Sequence, residues 1–580
     1  MKGLVSFSSE RRTRHFSFSG NGFCFFEISN DEPMNKKYLL IILLAAGAAA
    51  GLWQLFRDTA PDQEASQPGK SGIFSQDISG LPEARATENV ALKNGDVYEM
   101  EMSAVRKKIG NQWVRMLAYN GSIPGPVLRV PEGAEVTINL KNGIDIATTL
   151  HSHGVRMENA FDGVPDMTQK PIRPGETFAY RLKFPDAGAY WYHPHVRTDY
   201  AVEAGLYGNY VVIPADTAYW AGANREVALI LDDIALDANG ILPFRKDVAD
   251  HTLMGRFGNV MLVNGETDYK LSVKQGEVVR LYLTNAANTR PFNFTLPNVR
   301  MKLVGADVGR YERETFVNEV LLGPGERRVV DVLFETPGTY PMIHATPGKK
   351  YALGTVSVSA DKAATSFAEG FSVLRINAAV TDEMGDTAAF VNAVPDKSLR
   401  LTLDLNSAMQ GMMSANGGNM GGGHMMDDGS MMSGAMMGGM MGLGDDGDAF
   451  EWEDTMGMMN QASNADTVKW KLTDAATRKA NMDITDWKFT VGDKVKIRIF
   501  NDPQSAHPMQ HPIHFHGQRF VVLATNGVRN DNMVWQDTAL IPKGDTVDIL
   551  LDVSNPGEWM AHCHILEHAE GGMMMSFKVE

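Results

Sequence analysis

The chain is 580 residues long, enough for three or four domains that each bury a core of their own. Its formal net charge is −16, from 54 basic and 70 acidic residues, and no stretch rich in Lys and Arg lies outside the N-terminal region. This balance argues against a nucleic-acid partner and indicates an acidic, solvated surface.

The N-terminal segment 1–60 is typical of an export leader. A lysine pair at 36–37 precedes an apolar run, residues 38–56, that is rich in Leu, Ile and Ala. The run is about 19 residues long, which suffices to span a bilayer, so a cleaved signal and a retained membrane anchor both stay open. Met34 stands just before the lysine pair, and we expect it to be the true start. The sequence predicts a periplasmic or otherwise extracytoplasmic protein, with a linker over residues 61–84.

The chain has two cysteines, Cys24 and Cys563. Cys24 falls in the leader, so we expect no disulfide in the mature protein. A lone thiol in an exported protein is a liability unless it has a task. Metal ligation is the task that we predict for Cys563.

From about residue 85 the chain consists of short strand-like runs broken by Gly, Pro, Asn and Asp, which predicts an all-β fold. A glycine before an acidic residue is followed, 13 residues later, by a glycine two residues before an aromatic one. These pairs are Gly175 and Gly188, Gly325 and Gly338, and Gly544 and Gly557. The repeat predicts three consecutive β-sandwich domains, over residues 85–215, 216–365 and 366–580.

The three copies differ in histidine content. Residues 511–516 of the third copy read His-Pro-Ile-His-Phe-His, whereas the corresponding residues 290–295 of the second read Arg-Pro-Phe-Asn-Phe-Thr. We therefore expect the second domain to be structural and to hold no metal. His344, an isolated histidine of that domain, is predicted to be a packed or surface residue.

Ten of the fifteen histidines fall into four short clusters. The clusters are His151 and His153; His193 and His195; His511, His514 and His516; and His562, His564 and His568. Residues i and i+2 of a strand face the same side, so each His-X-His pair presents two imidazoles together. A single pair would be weak evidence, because half-exposed strand histidines are common. Four clusters in corresponding places indicate a site for several metal ions.

The tripeptide His562-Cys563-His564 serves two sites, because alternation places its histidines on one face of a strand and its cysteine on the other. The cysteine face offers the His₂Cys set of a blue copper centre, with a methionine as weak axial ligand. That set is His511, Cys563, His568 and Met573. The histidine face joins the remaining pairs around a cluster that the backbone couples to the thiolate. Zinc is the alternative, but it has no redox chemistry and no use for eight histidines beside a separate thiolate site.

These motifs resemble those of the multicopper oxidases, the family of laccases, ascorbate oxidase and the bacterial copper-resistance and cuprous oxidases. The resemblance covers about residues 85–580 and includes HxHG, WYHPH, HPxHxHG and HCHxxxH in the family's order. It implies three cupredoxin-like Greek-key sandwiches and a cofactor of four copper ions. The implied ligands are His511, Cys563, His568 and Met573 for type 1 copper; His151 and His514 for type 2; His153, His193 and His564 for one type 3 copper; and His195, His516 and His562 for the other.

The implied reaction couples one-electron oxidation of a substrate at type 1 copper to the four-electron reduction of dioxygen to water, which consumes protons and needs a nearby carboxylate. Asp162 lies where similar oxidases carry such an acid, although a turn-forming Asp before Gly163 is the alternative. Glu570 is a second candidate. Some copper-export oxidases have an acid directly after the ligand histidine, where this chain has Ala569, so the second proton route stays open.

A methionine-rich insertion occupies residues 409–459, with 15 methionines among Gly, Ser, Asp and Asn. This composition predicts a flexible, largely disordered segment that takes no part in a core. Thioether sulfur is a soft ligand that suits cuprous ion. The residues that we expect to bind substrate copper are Met425, Met426, Met431, Met432, Met436 and Met437, and His424 can join them. A low-complexity linker with incidental methionine is the alternative.

The insertion precedes His511 in the third domain and can therefore lie over the site of electron uptake, in which it is similar to bacterial cuprous oxidases. We expect a monomer that oxidises cuprous ion with dioxygen, has modest activity on phenols and dyes, and attaches to the membrane if residues 38–56 are retained. The alternatives are a general laccase for phenols or aromatic amines, a copper-sequestering protein that uses only the insertion, and a copper nitrite reductase, which needs fewer domains.

Overall fold

The computed structural model describes residues 4–9, 12–17, 74–418 and 449–580. The chain divides into two units, and the described part of the first is an antiparallel pair of strands, Leu4–Ser9 and Arg12–Ser17. Cys24, Met34 and the apolar run 38–56 lie outside the described residues. None of the helices described has the length and apolarity that crossing a bilayer requires.

The second unit, Ser71–Glu580, begins with a two-sheet sandwich. Its five-stranded sheet contains, in spatial order, Asn89–Ala91, Val127–Pro131, Gly208–Ile213, Gly188–His193 and His151–His153. Its four-stranded sheet contains Gln112–Tyr119, Val97–Ile109, Glu135–Asn142 and Thr177–Lys183. Every second residue of Glu135–Asn142 is buried, as expected for a strand with one face on a core.

The middle sandwich has its own buried apolar cluster. Its six-stranded sheet contains, in spatial order, Val260–Val263, Arg225–Ile234, Val278–Asn285, Arg327–Leu333, Arg300–Ala306 and Gly309–Val317. Its five-stranded sheet contains Tyr269–Gln275, Lys350–Lys362, Gly338–Ala345, Phe292–Thr295 and Val320–Leu322. A small hairpin, Leu236–Asp237 with Gly240–Ile241, accompanies them.

The third sandwich carries most of the clustered histidines. Its six-stranded sheet contains, in spatial order, Val468–Asp474, Lys397–Leu405, Lys494–Asn501, Thr546–Asp552, Arg519–Thr525 and Val528–Arg529. Its five-stranded sheet contains Lys488–Phe489, Met574–Val579, Gly557–Cys563, His511–Phe515 and Thr538–Ile541.

The repeated glycine pairs mark the same crossing in all three sandwiches. The strands Thr177–Lys183, Arg327–Leu333 and Thr546–Asp552 follow the first glycine of each pair and lie in one sheet. The strands that begin at Gly188, Gly338 and Gly557 lie in the other sheet. Each pair therefore carries the chain from one layer to the next, and the predicted all-β fold with three consecutive sandwiches is confirmed.

The helices described are short and lie in the connections. They are Thr198–Glu203, Ala368–Ser372, Ala378–Met384, Ala388–Val391, Ser407–Gly418, Gly457–Ala462 and Leu566–Glu570, with 3₁₀ turns at Asn159–Phe161 and Asn481–Asp483. The C-terminal end of the predicted linker 61–84 packs on the first sandwich, where the ring centroid of Phe74 lies 4.1 Å from that of Tyr200. Apolar contact of this kind orders a segment that composition alone assigns to a linker.

The prediction that the whole insertion 409–459 stays out of the core is wrong at both ends. Met409 is 1% exposed, and Met456 and Met459 are 8% and 7% exposed. The side chain of Asn406 accepts a hydrogen bond from the backbone of Met409 at 2.9 Å and so caps the helix Ser407–Gly418. The insertion is thus anchored where it leaves and rejoins the sandwich. His424 and the six methionines expected to bind copper lie outside the described residues.

Replacing Gly517, the glycine after the histidines at 511–516, by Ala should destabilise the metal-free protein more than the same change at Gly527. Both glycines have positive φ, 63° and 76°, so each Ala carries a strain of about 1 kcal/mol. A Cβ on Gly517 would also lie 2.3 Å from the Trp559 ring, which adds about 1–3 kcal/mol, whereas a Cβ on Gly527 meets nothing within 4 Å. Denaturant unfolding of both variants measures the difference, and equal losses would contradict this packing.

Candidate metal centres

Strand register brings the clustered histidines together. In the third sandwich, His511–Phe515 pairs antiparallel with Gly557–Cys563, which sets His514 opposite His562 and Ile513 opposite Cys563. In the first sandwich, His193 lies opposite His151. Partners across a strand pair face the same side of the sheet, so each pairing adds imidazoles to one surface.

The first group of donors contains the thiol. His511, Cys563 and His568 are fully buried and offer donor atoms that lie within 4.8 Å of one another. The Cys563 Sγ is 3.5 Å from Nδ1 of His511 and 3.8 Å from Nδ1 of His568. Met573 is also fully buried, and its backbone oxygen accepts a hydrogen bond from the backbone of Cys563 at 3.1 Å. The structure thus gathers the predicted type 1 residues, while ligation by the Met573 thioether stays a prediction.

The remaining eight clustered histidines form a second, larger assembly between the first and third sandwiches. Three groups have donor atoms within 4.8 Å of one another. They are His153, His193 and His564; His195, His516 and His562; and His151, His514 and His516. The first two are the predicted type 3 triads, and the last joins the two predicted type 2 residues to His516.

Several of these rings carry the hydrogen-bond pattern of metal ligands. The Nδ1 atoms of His151, His193 and His514 donate to the backbone oxygens of Asp162, Pro194 and Asp537 at 2.8, 2.8 and 2.9 Å. Their buried Nε2 atoms have no hydrogen-bond partner among the described residues. A metal-bound imidazole typically donates its other ring N–H in this way, and a buried nitrogen left unpaired is otherwise costly. The site therefore fits a metal.

The protonation states suit copper. Burial lowers the pKa of His195 and of His511 to about 3, so both rings are neutral at physiological pH and keep a lone pair for a metal. Burial raises the pKa of the Cys563 thiol, so a metal must displace its proton. A thiolate with two imidazoles suits copper, and neutral imidazoles suit it at the cluster as well.

The two predicted proton-delivery residues occupy different positions. Asp162 is fully buried within the cluster, and its Oδ2 accepts a hydrogen bond from Nδ1 of His516 at 2.9 Å. The imidazoles of His516 and His151 beside it outweigh desolvation and hold the pKa of this carboxyl well below its usual range. Glu570 ends the helix Leu566–Glu570, and its Oε1 accepts a hydrogen bond from the backbone of Thr198 at 2.7 Å.

Sequence reasoning missed three residues of these centres. Asp537 and Arg327 are fully buried beside cluster histidines, and Trp470 packs on the thiol-containing group, its ring centroid 4.6 Å from those of both His511 and His568. No local motif marks them. Asp537 directly precedes the strand Thr538–Ile541, which pairs with His511–Phe515. Only this pairing reveals that Asp537 lies beside the cluster histidines.

Comparison with known proteins defines the class. Three family models described as multicopper oxidase match residues 101–217, 243–368 and 453–580. The chain is 26% identical to Laccase-5 of Arabidopsis thaliana, over 83% of this chain and 92% of that one. It is 25% identical to Copper resistance protein A of Escherichia coli, over 84% of this chain and 93% of that one.

Solved structures agree on the fold. A laccase-like multicopper oxidase from Ochrobactrum sp. superposes with a TM-score of 0.64 at 22% identity, over 86% of this chain and 100% of that one. The fold is therefore that of three cupredoxin-like sandwiches. The chain belongs to the multicopper oxidase family, and it is an oxidoreductase whose cofactor is copper.

Lowering the pH from about 6.5 to about 4 should destabilise the metal-free protein. Burial holds the pKa of His195 and His511 to about 3, and that of His344 and His507 to about 4. In the unfolded chain these rings have a pKa of about 6.5, so across this window only the unfolded state gains their protons. Each group therefore removes about 1.4 kcal/mol of unfolding free energy per pH unit.

Denaturant unfolding at a series of pH values measures this slope. The variant His344→Gln, which leaves every predicted copper ligand in place, should show a slope smaller by about 1.4 kcal/mol per pH unit. A stability that stays constant between these pH values would contradict the buried, neutral state of the histidines.

Proposed function

We propose that the protein oxidises cuprous ion to cupric ion and passes the electrons to dioxygen, in the service of copper tolerance. Members of the family use dioxygen together with reducing substrates such as cuprous ion or phenols. The proposal concerns which of these reductants the chain favours. The observation that carries it is the cover over the group formed by His511, Cys563 and His568.

Neither imidazole of that group reaches solvent. His511 and His568 are each 0% exposed, and the indole of Trp470 packs on both. The Nε1 of Trp470 donates to the backbone oxygen of Thr252 at 2.8 Å, which ties the indole to a loop of the middle sandwich. A bulky phenol has no imidazole edge to contact here, which favours a small reductant.

The methionine-rich insertion is fastened to this same cover. Asn460, just beyond its C-terminal end, accepts a hydrogen bond from the backbone of Met254 at 3.1 Å and donates to the oxygen of Gly255 at 2.8 Å. Ser463 accepts one from the backbone of Leu253 at 2.9 Å. Leu253, Met254 and Gly255 directly follow Thr252, whose backbone oxygen accepts the hydrogen bond from Trp470.

A second contact brings the returning insertion beside the thiol-containing group. The backbone of Glu451 donates to the side-chain oxygen of Gln510 at 2.7 Å, and Gln510 directly precedes His511. Thioether sulfur is a soft ligand for cuprous ion. A segment rich in methionine that is anchored on the cover can collect cuprous ions where their electrons are taken up.

The residues present divide the chemistry between two centres. We assign His511, Cys563, His568 and Met573 to one copper, and the eight other clustered histidines to three more, four in all. When bound, copper supplies one-electron oxidation of the substrate at the thiolate centre and four-electron reduction of dioxygen to water at the cluster. Peptide bonds join Cys563 directly to His562 and His564, so the two centres share one strand end.

Protons for water formation must come through carboxyl groups of the chain. We assign this task to Asp162, which contacts cluster histidines, and to Glu570. Burial, followed by the charge of Asp199, raises the pKa of Glu570 to about 7, so this carboxyl can hold a proton near neutral pH and release it. Thr198, which Glu570 caps, lies three residues after the cluster histidine His195.

We propose export to the periplasm or another extracytoplasmic space, with residues 38–56 cleaved as a signal or kept as a membrane anchor, and a monomeric state. The lysine pair at 36–37 and the apolar run that follows it support the proposed export.

The alternative within enzymes is a general laccase that acts on phenols or aromatic amines, a reading favoured by the likeness to Laccase-5. The alternative of another class is a copper-sequestering protein in which only the insertion functions. Two groups of buried imidazoles whose Nε2 atoms have no hydrogen-bond partner in the described part of the chain argue against mere sequestration.

Deleting residues 419–448, the part of the insertion between its anchored ends, should raise the KM for cuprous ion by roughly 10-fold or more, because soft ligands that gather the substrate are lost. The kcat/KM for a phenol should stay constant or rise, since oxidation of a phenol does not need the thioethers. Oxygen consumption with each reductant measures both effects.

A variant of unchanged length is the control for this deletion. Replacing Met425, Met426, Met431, Met432, Met436 and Met437 by Leu removes the thioethers and should raise the KM for cuprous ion while leaving the phenol activity as it was. A deletion that leaves cuprous oxidation unaffected would favour the laccase alternative.

Replacing Glu570 by Gln should lower kcat below pH 7 by roughly 10²-fold, because the side chain can no longer deliver a proton. In the unaltered protein a carboxyl with a pKa of about 7 loses its proton as the pH rises, so kcat should fall above pH 7. That limb should vanish in the variant. The control is Asp232→Asn, since burial raises the pKa of Asp232 to about 8 and its side chain accepts a hydrogen bond from Tyr207 rather than from any cluster residue. An unchanged pH profile in Glu570→Gln would exclude this role.

A further inference from the structure

Asp537 serves two cluster histidines at once. Its Oδ1 lies 3.2 Å from Nδ1 of His153, and its backbone oxygen accepts a hydrogen bond from Nδ1 of His514 at 2.9 Å. The two imidazoles stack, with ring centroids 3.7 Å apart. His153 belongs to a predicted type 3 triad and His514 to the predicted type 2 pair, so one aspartate contacts ligands of two different coppers.

These contacts decide which ring nitrogen faces the cluster. His514 donates from Nδ1–H to the backbone oxygen of Asp537, which leaves its lone pair on Nε2. Nδ1 of His153 lies 3.2 Å from Oδ1 of Asp537 and also 3.2 Å from Nη1 of Arg327. The Nε2 atoms of His153 and His514 are buried and have no hydrogen-bond partner among the described residues. Asp537 therefore sets the tautomer of His514 through its backbone oxygen, while its carboxylate and the Arg327 guanidinium together hold the ring of His153 in place.

Asp537 is in turn held by an arginine of the middle sandwich. Arg327, at the start of the strand Arg327–Leu333, pairs with both carboxylate oxygens of Asp537, and its Nη1 lies 2.8 Å from Oδ1. Its Nε donates to the backbone oxygen of Ala189 in the first sandwich at 3.0 Å. Both charged side chains are fully buried. The planar guanidinium thus fixes the carboxylate and neutralises its charge inside the protein.

Asp162 also contacts two cluster histidines, His151 and His516, one with its backbone oxygen and the other with a carboxylate oxygen. Its backbone oxygen accepts from His151 at 2.8 Å, and its Oδ2 accepts from His516 at 2.9 Å. Among the described residues, the ion-pair partners of Asp162 are these histidines, whereas Asp537 also has Arg327. One face of the cluster is therefore supported from the middle sandwich.

We propose that Arg327 is a positioning residue of the copper cluster, acting through Asp537 on His153 and His514. The proposal rests on the cluster assigned under the proposed function. It gives the middle sandwich, which supplies none of the predicted ligands and is expected to be structural, a direct part in metal binding. Loss of the guanidinium frees the carboxylate to turn away from His153, so copper at the cluster is held less tightly while the thiolate centre is unaffected.

The experiment compares copper retention in Arg327→Met with that in the unaltered holoprotein. After loading with copper and dialysis against a chelator, the variant should lose cluster copper at a chelator concentration roughly 10- to 100-fold lower, the usual effect of losing a residue that orients a metal ligand. The blue absorption of the thiolate centre should persist at full intensity. The type 2 EPR signal should be shifted or lost.

A matched pair in the same sandwich separates positioning from stability. Arg280 and Asp331 also form a buried bidentate ion pair, with Nε–Oδ1 and Nη2–Oδ2 distances of 2.8 and 2.9 Å. Asp331 lies on the same strand as Arg327, and none of the hydrogen-bond partners described for this pair is a histidine. Arg280→Met should therefore lower the unfolding free energy but retain copper and the type 2 signal as the unaltered protein does.

Two further variants keep the test decisive if Arg327→Met does not fold. Arg327→Lys keeps the positive charge but loses the two-point contact of the guanidinium with the carboxylate. Asp537→Asn keeps the shape of the side chain but is a weaker hydrogen-bond acceptor. Both variants should shift the type 2 signal and weaken retention of cluster copper. An unaltered protein that shows no type 2 signal contradicts the proposed function itself. An unaltered protein with the signal, together with Arg327 and Asp537 variants that match Arg280→Met, overturns only the present proposal.

Discussion

The structure depends on the alternation of side chains along one strand end, His562-Cys563-His564. Because neighbouring residues of a strand face opposite sides, His562 and Cys563 enter different groups, and His564 follows directly after the strand ends. The partner strand His511–Phe515 obeys the same rule, and its register with Gly557–Cys563 sends His511 to the thiol and His514 to the cluster. Two groups of candidate metal ligands therefore lie on opposite faces of one sheet. The first sandwich supplies the other four histidines of the cluster, and the middle sandwich contacts Asp537 through Arg327.

Burial is what makes the arrangement costly without metal and selective with it. The clustered imidazoles are enclosed, their pKa values are lowered by desolvation, and many have a ring nitrogen without a hydrogen-bond partner among the described residues. Unpaired polar atoms of this kind destabilise a fold. Asp162 offsets part of that cost by accepting the other ring N–H of His151 and of His516. Asp537 accepts that of His514, and its Oδ1 lies 3.2 Å from Nδ1 of His153. Arg327 extends this support to the middle sandwich, so all three repeats contribute to one site.

The fold class and the composition of both centres could be predicted from the sequence, because strand periodicity, the glycine repeat and the His-X-His pairs are local signals. Residues joined only by the tertiary structure could not. Arg327 reaches Asp537 across a sequence separation of 210 residues, and Trp470 meets His511 and His568 from another strand. The packing of the insertion's ends could not be predicted for a different reason. A composition averaged over residues 409–459 does not show that Met409, Met456 and Met459 are buried. The exact ligation of copper and the domain boundaries stay predictions.

The central claim is that one chain holds a thiolate copper and a separate copper cluster and turns over cuprous ion with dioxygen. The most direct measurement combines copper content, EPR and oxygen uptake on a single copper-loaded sample. The account predicts four coppers per chain, distinct type 1 and type 2 signals, and four cuprous ions oxidised for each dioxygen consumed. A protein that binds cuprous ions without a thiolate signal and consumes no oxygen would contradict it.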